Sequence, residues 1–377
     1  MSNVTVAPIP NTKKEIKKFI KFAWEIYKGN PYWVPPLIID QLERITKGPY
    51  HEVGVMQPFL AYRDGKIVGR VIAHYDRRHN EYFNVKHGRV GFFECINDRE
   101  VSRALFSAAE KWLKDQGMLD VYGLYNFLMY DPSGLLLDDY DNVPAVELGY
   151  NPPYYRELFE DYGFEKSRDW YAYLFTKDNE LPSLFYKFHK QVEKKAAEHK
   201  DGLTIRNIDL KHYERDRDYI KVIFNRAWED NWGHYPFSDT QIEAFGKDLK
   251  QIAREPLIMF AFYDEKPAAF ILSIPDANYA IKRANGRLLP FGIFKILLGM
   301  RKITRIKTML MGVLPEYRRR GLDVYFYIET INRAIAMGYT EADMSLIVED
   351  NLDMRNALEH LGAKIYKTYR FYSKPIA

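Results

Sequence analysis

Apolar positions along this 377-residue chain switch between a period near 3.6 and a period of 2, and the order of the switches occurs twice. In the first half the spacing predicts an amphipathic helix over 13–28, an aromatic and proline-rich loop over 30–36, and a hairpin over 57–75. Within that hairpin Phe59-Leu60-Ala61-Tyr62 and Ile67-Val68-Gly69-Arg70-Val71-Ile72 flank the turn Arg63-Asp64-Gly65-Lys66. A strand over 89–95, a helix over 99–116 ended by Gly117 and a strand over 119–125 follow. Asn151-Pro152-Pro153-Tyr154-Tyr155 reads as a rigid turn into a short helix over 154–162 stopped by Gly163, and an aromatic strand over 170–176 closes the half.

The second half repeats the order. A strand over 203–208, helices over 216–229 and 239–254, and a hairpin of 257–263 with 268–274 lead to a strand over 308–313. A helix over 323–337, a strand over 341–347, a helix over 352–361 stopped at Gly362 and a strand over 364–373 complete it. The repeat is one of element order, with no shared motif run. Residues 181–200 form a lysine-rich helical connector with Leu184, Phe185, Phe188 and Val192 on one face. The expected organisation is therefore a domain over 1–180, a connector over 181–200 and a domain over 201–377.

Composition narrows the class. Length suits two domains, and 47% hydrophobic with 28% charged residues is a soluble globular balance. The net charge of +4 is too small and dispersed to point to nucleic acid and fits a phosphorylated small ligand better. Cys95 is the only cysteine, which excludes an intramolecular disulfide and a cysteine-type zinc site and fits a reducing compartment, so a cytoplasmic location is expected. No metal is expected. The N-terminus lacks the apolar run of a secretion signal, and the greasy stretch 288–300 is too short to span a bilayer.

Val313-Leu314-Pro315-Glu316-Tyr317-Arg318-Arg319-Arg320-Gly321-Leu322 carries the most specific chemistry. It joins a strand directly to a helix, so unpaired first-turn amides and the positive end of the helix dipole converge on one point, which is an anion site. With Val313, Pro315, Arg318 and Gly321 in place, the run resembles motif A of the GCN5-related N-acetyltransferases, in which Asp323 replaces the final small residue. The resemblance implies a pantetheine arm paired with the strand at Met311 and Val313. It also implies a coenzyme A pyrophosphate held by Arg318, Arg319, Arg320, Gly321, Leu322 and Asp323. Asn351 matches the asparagine that opens the family's closing helix. The tyrosine that commonly protonates the departing thiolate is replaced by Leu358, with Tyr366 and Tyr369 nearby in sequence.

The implied fold class is α/β, an α+β mixed sheet, in two tandem acyl-CoA N-acyltransferase-like domains. In the first half the corresponding loop, Ile96-Asn97-Asp98-Arg99-Glu100-Val101, has no glycine and two acids, so the donor is assigned to the second half. An amine acceptor must lose a proton before it attacks a thioester. Candidate bases lie in Trp228-Glu229-Asp230-Asn231-Trp232-Gly233-His234-Tyr235, where Glu229, Asp230 and His234 accept protons and the aromatic residues wall a pocket.

The greasy stretch 286–307, flanked by Arg301, Lys302, Arg305 and Lys307, is expected to pack on a sheet, with a membrane surface or a lid as the alternatives. The expected activity is transfer of acetyl from acetyl-CoA to the amine of a small molecule or peptide. A Fem-type aminoacyl transferase and a non-catalytic acyl-CoA sensor are the rivals.

Overall fold

The computed structural model describes residues 4–128, 131–229 and 231–376. In chain order the first half runs β1 (Thr5–Pro8), α1 (Lys13–Lys21), α2 (Ile38–Lys47), β2 (Gly54–Arg63), β3 (Lys66–Asp76), β4 (His87–Cys95), α3 (Arg99–Asp115), β5 (Asp120–Gly123), β6 (Leu135–Leu136), α4 (Tyr155–Asp161) and β7 (Glu165–Thr176). The remainder runs α5 (Ser183–Ala197), β8 (Leu203–Asn207), α6 (Tyr213–Ala227), α7 (Asp239–Lys250), β9 (Ile258–Tyr263), β10 (Lys266–Pro275), α8 (Asn278–Ile281), α9 (Gly292–Met300), β11 (Arg305–Val313), α10 (Leu322–Ala336), β12 (Glu341–Val348), α11 (Leu352–His360) and β13 (Lys364–Pro375).

The strands of each unit are arranged about a tight hairpin. Arg63 pairs with Lys66 and Tyr263 with Lys266, leaving two-residue turns. Asp64 and Gly65 sit at φ 51° and 73°, and Asp264 and Glu265 at 47° and 64°, the double left-handed geometry that matches strand twist. Each unit then adds an antiparallel strand carrying a bulge, and next a parallel one. The bulge of β4 falls opposite Arg70 and Ile72 with Phe92 at φ 51°, and that of β11 opposite Leu272 and Ser273. The parallel pairing is short in both units: His87, Gly88 and Arg89 against Asp120, Val121 and Tyr122, and Arg305 to Thr308 against Glu341 to Met344.

Two compact units divide the chain: Met1–Trp170, Asn278–Arg301 and Lys367–Ala377 form one, and Tyr171–Ala277 with Lys302–Tyr366 form the other. Contiguous halves separated by a connector, as the sequence predicts, differ from this partition in three ways, the first being that Asn278–Arg301, expected in the second domain, belongs to the first unit. Each half's closing strand ends in the other unit, with Tyr372 and Ser373 pairing with Gly123 and Tyr122 of β5. The helix read as a connector, α5, is part of the second unit and lies on α10. His189 stacks on Tyr325 at 4.8 Å and bonds Glu329 at 3.0 Å, and Val192 is buried. Its buried face is Phe185, His189 and Val192, while Leu184 and Phe188 are exposed. Helical spacing gives the stripe, but the face chosen depends on a neighbour 130 or more residues away.

The core of the first unit centres on Phe93, Phe106, Tyr155 and Phe159 between β4, α3 and α4. That of the second joins Ile271, Ile306, Phe326 and Met344 with Leu358. Cys95 is fully buried, and burial pushes its thiol up. Three histidines besides His189 are buried as well. Burial, with Arg89 nearby, pulls His74 and His79 down from 6.5 to about 3, and burial pulls His234 to about 4.

A folded-state value below the unfolded one means the unfolded chain binds more protons in that window. Stability is fully present above about pH 6.5 and declines toward the folded values, by up to about 1.4 kcal/mol per pH unit for each group. The urea midpoint should therefore fall between pH 7 and pH 5. An unchanged midpoint would mean that these rings are not held neutral.

Candidate functional site

The site is built on a strand edge that its neighbour leaves. The amide of Leu314 donates to Ala268 at 2.9 Å, which fixes 268 and 314 as a hydrogen-bonded pair. Bonded and non-bonded pairs alternate along an antiparallel ladder, so Met311, opposite Ile271, and Val313, opposite Ala269, turn their backbone groups away from β10. On that side β12 has stopped pairing after Thr308. Two of the exposed carbonyls are used: Trp228 Nε1 donates to Met311 at 2.9 Å, and Arg318 Nε to Val313 at 3.4 Å. The amides of Met311 and Val313 have no hydrogen-bond partner among the described residues. Helix α6 approaches this strand over Gly312, where an added Cβ would sit 3.2 Å from both Ile223 and Ala227.

Beyond the strand, Pro315–Tyr317 makes one tight turn and the chain enters α10 through two left-handed residues, Arg319 at φ 61° and Gly321 at φ 80°. Gly321 caps the helix without a side chain, and the amides from Arg319 to Val324 have no partner among the described residues. A Cβ at Gly321 would be strained by its φ and would lie 3.3 Å from Val192.

The three arginines part company. Arg318 donates to the Ala227 carbonyl at 3.0 Å, tying the loop to α6. Arg320 lies over the stacked rings of Tyr263 and Tyr317, at 4.8 and 5.3 Å. Arg319 is exposed. Asp323 sits in the first turn of α10 and does not cap it, so its charge remains beside the open amides.

The corresponding places in the first unit are occupied by its own side chains. Asn126 Oδ1 accepts from the Phe92 amide at the bulge, at 2.7 Å. Tyr155 and Tyr154 hydroxyls hold the amide and carbonyl of Cys95, at 2.9 and 2.7 Å. Asp98 caps α3 by accepting from Glu100 and Val101, at 2.9 and 3.3 Å, and it pairs with Arg63 at 2.7 Å. The Arg63 bond holds the Asp98 carboxyl below its usual range. A carboxylate thus fills the spot where a phosphate would bind.

The proton-handling candidates are scattered. Glu229 is exposed just past α6, and Asp230 lies outside the described residues. His234 is 2% exposed and packs edge-on to Phe224 at 5.1 Å. With its value near 4 the ring is neutral at pH 7, yet it is a weak base for an ammonium group. Asn351 caps α11, accepting from the Met354 amide at 3.2 Å, and Leu358 is a buried core residue.

Tyr366 is placed differently: its hydroxyl donates to Asp343 Oδ2 at 2.6 Å. Asp343 is fully buried, bonds Ser345, and faces Lys307 at 3.8 Å. Lys307 and Asp343 are register partners one rung before β11 and β12 separate. Sequence reading misses Asp343 and takes Lys307 only for a basic flank of the greasy stretch, because each is an ordinary charged residue in its own strand. The available signal was that charges at 307 and 343 interrupt strands otherwise expected to be buried on both faces.

No family model matches the chain. It is 34% identical over 373 residues to protein YghO of Escherichia coli (strain K12), covering 97% of this chain and 94% of that one. It is 30% identical over 384 residues to the bacterial ceramide synthase of Caulobacter vibrioides (strain NA1000 / CB15N), covering 100% and 98%. Among solved structures, a tandem GNAT protein from the clavulanic acid biosynthesis pathway superposes with a TM-score of 0.57 at 10% identity, over 100% of this chain and 99% of that one. A GCN5-related N-acetyltransferase from Sphaerobacter thermophilus gives 0.52 at 13% identity, over 99% and 96%. The fold is therefore that of the tandem GCN5-related N-acetyltransferases, and the chain belongs to the family that contains YghO and the bacterial ceramide synthase.

Proposed function

We propose that this protein is an acyl-CoA-dependent N-acyltransferase that joins a long acyl chain to the primary amine of a sphingoid-type lipid, with its donor site in the second unit. The observation that carries the donor assignment is the contrast between the two units. In one, the bulged strand and helix entry are filled by Asn126, Tyr154, Tyr155 and Asp98; in the other, the amides of Met311, Val313 and residues 319–324 are open. Full-length similarity to the bacterial ceramide synthase supports a long acyl chain and a lipid amine in place of acetyl and a small acceptor. The Fem-type alternative depends on a projecting helical arm, whereas α5 lies along α10.

In this reading the pyrophosphate of coenzyme A sits on the amides of residues 319–323, with Arg319 supplying mobile positive charge. The neutral amine attacks the thioester carbon, and the Met311 or Val313 amide donates to the developing oxyanion. The nitrogen, cationic after attack, gives up its extra proton to water, the carbon–sulfur bond breaks and the thiolate takes a proton. Tyr366, held by Asp343, serves as the proton donor that Leu358 cannot be.

Incubation with a C16 acyl-CoA and a C18 amino-diol should yield the amide by mass spectrometry, faster than with acetyl-CoA. Faster transfer from acetyl-CoA would overturn the chain-length assignment, and tight coenzyme binding without turnover on any amine would favour the sensor. Tyr366→Phe should lower kcat about 10²-fold with KM nearly unchanged, and an unaltered kcat removes Tyr366 from the reaction. Asp323→Asn should tighten coenzyme A binding about two- to fivefold in calorimetry, since it removes a like charge beside the phosphates. Weaker binding by that variant would put the pyrophosphate elsewhere.

A further inference from the structure

Helix α9 and the loop before it are built inside out. Against the rest of the first unit α9 presents its glycines: an added Cβ on Gly299 would lie 2.8 Å from Ala280 Cα, and one on Gly292 would meet the Arg287 carbonyl. The large residues point to water, with Leu289 78% exposed, Phe291 69%, Phe294 61%, Leu297 58% and Leu298 59%. The sequence pattern predicts a segment packed on a sheet; small residues at 292 and 299 reverse this by letting the helix dock on its thin side. A contiguous exposed apolar patch of this kind marks a surface that meets something.

The charge around the patch selects the occupant. Asn278–Arg301 contains five Lys or Arg residues and no Asp or Glu. Arg287, Lys295 and Arg301 are exposed beside the apolar side chains. Two such faces brought together in a dimer would oppose like charges with no acid to relieve them. An anionic bilayer supplies both a hydrocarbon boundary and negative headgroups. At nine residues α9 is about 13 Å long, which suits lying in the interface, and no helix among the described residues is long and apolar enough to cross a membrane.

We propose that α9 and the 287–291 loop form an interfacial anchor that seats the protein on an anionic lipid surface, with Leu289, Phe291, Phe294 and Leu298 in the acyl boundary and Arg287, Lys295 and Arg301 at the headgroups. The anchor stands apart from the reading of the catalytic site, because its test needs no turnover.

Flotation of the full chain with phosphatidylcholine vesicles containing 30% phosphatidylglycerol should recover the protein in the lipid fraction, and pure phosphatidylcholine or 0.5 M salt should reduce recovery. Phe294→Ser with Leu298→Ser should weaken partitioning at least about tenfold at an unchanged melting temperature. Arg287→Glu with Lys295→Glu, which keeps the apolar face, should abolish the preference for anionic vesicles. Equal flotation of both variants and the wild type would overturn the anchor. So would a wild-type protein that ignores vesicles and is a dimer which Phe294→Ser with Leu298→Ser converts to monomer, since the face would then belong to a second copy.

Discussion

A buried backbone group must find a hydrogen-bond partner, and the functional half of this protein is organised around a place where a strand withholds one. Once β12 stops pairing beyond Thr308, the outward groups of Met311 and Val313 have a direction but no strand to meet. The bulge at the same point resets the alternation of β11, and the helix entry after Arg319 and Gly321 adds a second set of free amides. Donors of fixed geometry are thus provided without any charged side chain having to be placed.

The first unit shows the alternative solution to the same constraint. Its bulged strand also parts from a parallel neighbour after three rungs, but Asn126, Tyr154, Tyr155 and Asp98 satisfy the groups that are exposed. A self-satisfied edge is rigid and closed to ligands. The same architecture therefore serves as scaffold in one unit and as a prospective binding edge in the other, and the difference lies in a few polar side chains.

Under the proposed lipid chemistry, an outward greasy helix with basic flanks fits an enzyme whose amine and acyl chain partition into bilayers. A substrate dissolved in a membrane is reached by an enzyme that rests on it. Burying Phe294 and Leu298 inside the protein would have been the ordinary outcome for such residues, and their exposure is tolerable only where water is displaced part of the time.

Local chemistry fixed much of this in advance. The turns at 63–66 and 263–266, the helix stops at Gly163 and Gly362, and the loop from Val313 to Gly321 are legible because each depends on residues a few positions apart. The contrast between the two helix entries was also legible, since glycine at 321 leaves its helix start without a side-chain cap and the aspartate side chain at 98 caps its own. Tertiary structure alone decided which unit each closing strand ends in, that Tyr366 reaches Asp343, which face of α5 is buried, and that α9 turns its glycines inward. Periodicity states that a stripe exists; the partner it meets is set by chain segments outside it, through packing that no local window contains.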